Sequence, residues 1–104
     1  METKLAAHTK GPWKVERYSS TLEVWPVAGG SMIASFQASP QFPGQRDEAE
    51  ANAALVAASP RLLEALRLYV KLDSDRRAGC SISADDWAEC YQAAKTAISE
   101  AEGG

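Results

Sequence analysis

Histidine is nearly absent from this chain of 104 residues: His8 is the only one, and it lies in a polar N-terminal stretch, METKLAAHTK. A serine, threonine or cysteine nucleophile needs a neighbouring base, and a single imidazole in such a stretch is a poor source of one. Cysteine is scarce too. Cys80 and Cys90 have no histidine or further cysteine near them, so metal-ligand spacing is missing and the two are read as free thiols. There is no P-loop, dinucleotide fingerprint, paired CxxC or EF-hand loop. Carboxylate pairs occur at Glu48/Glu50 and Asp85/Asp86, in the first turns of expected helices, where dipole and capping preferences place carboxylates without any acid–base role. The expectation is a protein that is not an enzyme and holds no metal or cofactor.

Positive charge is not in excess. A net charge of −3 argues against nucleic-acid binding through phosphate neutralisation, which needs a basic face, although local basic clusters still suit a small anion. No apolar run reaches membrane-spanning length. The N-terminus lacks the apolar core of an export signal, so a cytoplasmic protein is expected.

What remains is the make-up of an ordinary globular domain, with 45% hydrophobic and 24% charged residues, expected to form a single domain over 1–104. Strands are expected within 12–37. WKVERY alternates Trp13, Val15 and Arg17 against Lys14, Glu16 and Tyr18; TLEVWPV sets Leu22 and Val24 opposite Glu23 and Trp25; MIASF makes a third β-rich run. Ser19-Ser20 and Gly29-Gly30 supply the turns, and Pro26 belongs at a strand end or a bulge because it cannot donate to a ladder. ASPQFPGQR, residues 38–46, reads as a loop.

Helices are expected over 47–73 and 83–102, making an α+β fold with a three-stranded or larger antiparallel sheet ahead of two main helices. The first contains Ser59-Pro60. Serine as N-cap and proline at the first helical position would restart the helix there; the alternative is one continuous helix kinked by the proline. Ser83, with Asp86 three residues on, opens the second helix as a variant capping box.

Binding is better supplied than catalysis. Trp13 and Phe36 suit a core between sheet and helices, but Phe42 sits in the proline-flanked loop, where a ring can stack on a planar base. Asn52 lies among alanines, offering two donors and an acceptor from a mediocre helix former, or else bonding the loop before its helix. Arg46, Arg61 and Arg67 can each pair with a phosphate or remain solvated. The alanine-rich ANAALVAAS (residues 51–59) and two amphipathic helices exceed what three strands can cover, so a homo-oligomer is expected.

Two segments, HTKGPWKVE (His8–Glu16) and EANAALVAASPRLLEAL (Glu50–Leu66), resemble a group of small bacteriophage and prophage proteins that begin HTPGPW and carry an EANARLIAAAPELLEAL-like helix. Here Lys10 stands in place of a proline and Ser59 in place of an alanine. The resemblance implies a phage protein working in the host cytoplasm. The layout of sheet then helices is also similar to the Thoeris anti-defence protein 1 family, oligomeric sponges that hold cyclic ADP-ribose signals between protomers without cleaving them. That likeness implies a ligand site of Phe42 and Asn52, with Arg46 and Arg61 on the phosphates. The rival reading is a protein-binding inhibitor of a host defence complex, of the anti-CRISPR kind, or a host-takeover factor; a structural or accessory phage protein is a third.

Overall fold

A computed structural model describes residues 8–103. Three antiparallel strands, β1 (Trp13–Arg17), β2 (Thr21–Pro26) and β3 (Ala34–Gln37), lie in the order β1-β2-β3 and are followed by α1 (Pro43–Arg77) and α2 (Ala84–Ala101). This is the expected α+β fold with an N-terminal sheet. The Tyr18 N–H donates to the Thr21 carbonyl at 2.8 Å and closes the Ser19-Ser20 turn. Between β2 and β3 the chain is wider than a tight hairpin, running over residues 27–33. Gly29 (φ 94°) and Gly30 (φ 114°) supply the left-handed backbone there. Pro26 ends the central strand opposite Trp13, where its missing N–H costs little.

Alternation decides the core. Leu22 and Val24 point from β2 to one face and are fully buried with Ala38, Ala49 and Ala53. Burying Leu22 and Val24 contributes about 2 kcal/mol apiece. Across the ladders, Val15 and Ala34 flank Val24, and Arg17 and Phe36 flank Leu22. The helix meets these large side chains with alanines, which lets α1 lie close on the sheet.

Helix α1 begins at Pro43, earlier than the expected Asp47, and the loop ends at Phe42. Proline is pre-organised for a first helical turn, and the Gln45 N–H donates to the Phe42 carbonyl at 2.9 Å. The first turn therefore carries no carboxylate, and Asp47, Glu48 and Glu50 fall one turn further in than expected. At the other end α1 runs to Arg77 rather than 73. The polar run DSDRR is a solvated helical surface, tied by Arg76–Asp73 at 2.7 Å, Arg77–Asp73 at 2.8 Å and Lys71–Asp75 at 3.1 Å. The helix stops where Gly79 turns left-handed (φ 95°), and the Cys80 and Gly79 N–H groups cap the Asp75 and Arg76 carbonyls.

Pro60 does not restart the helix; α1 is one continuous element with Pro60 inside it. Ser59, expected as an N-cap, donates its hydroxyl to the Leu55 carbonyl one turn back. Interior proline costs about 3 kcal/mol, but packing on both sides of the break holds the helix together: the strands contact α1, and α2 packs on α1. Pro60 is buried, and Gly11 lies against it so closely that a methyl at Gly11 would sit 2.5 Å from the Pro60 Cβ. The break thus supplies a docking point for the segment entering β1. Ser83 caps α2 as expected, accepting from the Asp86 N–H at 3.1 Å.

Candidate functional site: the cleft between β1 and the helical hairpin

The residues singled out from the sequence all stand on or beside α1. Nineteen residues at 1.5 Å each separate Phe42 from Arg61 by about 28 Å along the axis, too far to share one nucleotide-sized ligand within a single chain. Phe42 occupies the position just before the first helical residue and is 60% exposed. Asn52 borders a shallow hollow of about 220 Å³ with Phe36, Gln37, Gln45, Glu48 and Ala49; the Phe42 ring is not among its walls.

Arg46 is committed to the fold. Its guanidinium donates to the Tyr18 carbonyl at 2.9 Å and lies 3.8 Å from Glu50, tying the first β-turn to α1. Arg61 pairs with Glu100 at 2.7 Å, joining the middle of α1 to the last turns of α2. Of the four residues, Arg61 alone lines a sizeable cleft.

That cleft lies where β1, α1 and the end of α2 converge, with a volume of about 410 Å³, within the range of small-molecule sites. Its helical side is lined by Ala54, Ala57 and Ala58, and the small side chains leave it open. Trp13, Lys14, Arg17, Arg61 and Glu100 also line it; alternation along β1 sends the Lys14 ammonium to the other face with Glu16, so the cations of the cleft are Arg17 and Arg61, each beside a carboxylate. The Trp13 ring is fixed by its indole N–H, which donates to the Lys10 carbonyl at 3.2 Å. Arg17 is held against Glu50, with Nε 3.1 Å from both carboxylate oxygens. Lys14 pairs with Glu16 at 3.1 Å. The Glu16 carboxyl is held below the usual carboxylate range by the Tyr18 hydroxyl and then by Lys14, so Glu16 is charged at neutral pH. Each cation thus has one carboxylate beside it and unused N–H donors, a geometry that can receive an anion bidentately on arginine.

Arg61 also borders a second cleft of about 680 Å³ on the same side of the helical hairpin, beside Gly11, Pro60, Glu64, Glu89 and Gln92. Its acidic groups make it a poorer place for phosphate. Among the described residues no group of three His, Cys, Asp or Glu side chains could hold a metal. Cys80 is exposed, Cys90 is buried, and both are free thiols.

The sequence expectation gave Trp13 to the core, and Trp13 does pack against the buried cluster; Arg17 was not singled out for binding. The alternation of β1 carried the missing signal, because it sets Arg17 on the same face as Trp13 and Val15, toward α1. The profile of the family described as Salmonella phage P22 protein Y8K6 matches residues 1–104. The chain belongs to that family. No curated protein and no solved structure matches it. A small phage protein is therefore what the comparisons establish, and none of them reaches the Thoeris anti-defence proteins. The two segments that resemble phage proteins meet in space, since Gly11 of the first packs on Pro60 of the second. Among the described residues no helix is long and apolar enough to cross a membrane.

Proposed function

We propose that this phage protein acts in the host cytoplasm by binding a small phosphorylated ligand, of the cyclic nucleotide class used as immune signals, and holding it without cleavage. The observation that carries the reading is the convergence of Trp13, Arg17 and Arg61 on one open cleft with an alanine side. The indole offers a surface for a base, and the guanidinium groups offer paired donors for a pyrophosphate. Phe42 and Asn52 would join such a site only if a second copy brought them near.

A thermal-shift panel of cyclic ADP-ribose isomers and cyclic dinucleotides tests the reading. Ligand at 100 times its Kd adds about 2.7 kcal/mol of stability, which raises the Tm of a domain this small by about 10 °C or more. Arg61→Ala and Trp13→Phe should each weaken the response. Its loss in Phe42→Ala and Asn52→Ala alone would move the site to those residues. A folded protein that responds to no member of the panel rejects the proposal and leaves the protein-binding inhibitor as the better reading.

A further inference from the structure

The side of the helical hairpin away from the cationic cleft has the opposite character. A groove of about 500 Å³ runs between α1 and α2 there, bordered by Leu62, Leu66, Tyr69, Trp87, Tyr91 and Ile98, with no charged residue along it. Several of its walls are open to solvent: Leu66 and Tyr91 are each 63% exposed and Ile98 51%. A ridge adjoins it. The sheet-facing stripe of α1 runs through Ala49, Ala53 and Val56 and continues at helical spacing through Leu63 and Val70, beyond the reach of the strands. Leu63, Leu66 and Val70 border a further hollow there, with Arg67 and Lys71 along its edge, and Val70 is 59% exposed. One helix therefore carries apolar residues toward α2 and also along a second arc that nothing among the described residues covers, an arrangement proper to a helix with neighbours on both sides.

We infer that this face is the contact surface between two copies of the chain, packed by a two-fold axis into a four-helix arrangement. The ridge of Leu63, Leu66 and Val70 from each copy would lie in the groove of the other, as an isologous interface requires. The dimensions fit this occupant. The 18 residues of α2 span about 27 Å. With helices about 10 Å apart, the hairpin alone presents a face of roughly 540 Å², to which the adjoining ridge adds, against the ~800 Å² per partner of a standard interface. The whole chain points the same way. Its radius of gyration is 17.1 Å, against about 13 Å for a compact domain of this length. The inference does not rest on the ligand reading, because the cationic cleft opens on the other side of the hairpin.

Sedimentation equilibrium on the full chain at about 100 μM protomer tests it, since mass action governs a homodimer. The expected mass is twice the 11.2 kDa of one chain. Leu66→Glu combined with Ile98→Glu should halve that mass while far-UV circular dichroism keeps its helical signal; Tyr91→Lys is the second variant should the first fail to fold. Arg61→Ala, on the other side of the hairpin, should leave the dimer intact. A wild-type monomer at this concentration overturns the inference and assigns the groove to an unlike partner. A dimer that survives both sets of folded charge variants places the interface elsewhere and overturns it equally.

Discussion

The two halves of α1 solve the same packing problem with different side chains. Before Pro60 the helix lies on a sheet whose Leu22 and Val24 reach fully into the contact, and it answers with Ala49 and Ala53, both buried. After Pro60 the partner is another helix. Leu62, Leu63, Leu66 and Val70 replace the alanines, and none of the four is buried. A large side chain on one surface calls for a small one opposite, so the alanine-rich half indicates that its partner supplies the bulk. The leucine-rich half supplies bulk itself and meets a partner too narrow to cover it. Stability is concentrated in the first half, and unsatisfied apolar surface in the second.

Matched substitutions sharpen that contrast most strongly. Leu22→Ala should cost about 3 kcal/mol, because a fully buried leucine loses its transfer energy and leaves a cavity. Leu66→Ala, at concentrations where the chain is monomeric, should change stability by about 0.5 kcal/mol or less. Urea denaturation reads both, and equal effects would break the comparison. Next in size is the seam between the halves. Gly11→Ala would place a methyl 2.5 Å from the Pro60 Cβ and 2.9 Å from its Cγ, and overpacking of this kind costs about 2 kcal/mol. A fall in denaturation midpoint with unchanged slope is expected; a neutral substitution would mean that the entering segment does not bear on Pro60.

Much of the first half was legible because period-two alternation and turn residues are local. Trp13, Val15, Leu22 and Val24 announce a sheet with one buried face, and Ser83 announces its helix. The start of α1 was misread because Asp47, Glu48 and Glu50 look like a dipole-stabilised first turn, whereas Pro43 performs the same job earlier. At Ser59-Pro60 the continuous helix, the alternative to a restart, is the one the fold adopts. Local propensity favours a restart, but the sheet on one side and α2 on the other fix the helix as one element, and that information is long-range. The site was less legible than the fold. Phe42 and Asn52 stand out by residue type, yet a helix rise of 1.5 Å per residue already separates them by about 15 Å. Arg17 drew no attention because one arginine in a strand is unremarkable until the face it shares with Trp13 is opposed by alanines.

The smallest expected effect is at the far end of the second half, where packing is thinnest and charge does more of the holding. The Asp73 carboxyl is kept below its ordinary value by Arg76 and then Arg77, and these pairs tie the last turn of α1. A carboxylate whose folded pKa is lowered contributes stability that is present above the unfolded value, near 3.9, and disappears as pH falls through the lower folded value. The last turn should therefore be indifferent to pH between 5 and 8, on the scale of these carboxylate values, and should fray below about pH 4. The pairs are exposed and screened by salt, so the loss is local. Amide hydrogen exchange at Arg76 and Arg77 across this range would register it, and Asp73→Asn should raise their exchange at neutral pH and remove its acid dependence. Residues 53–58, packed on the sheet, should show no such dependence, because none of them carries a titratable side chain. If both halves lose protection together as the pH falls, the helix opens as one unit and the division at Pro60 is geometric rather than energetic.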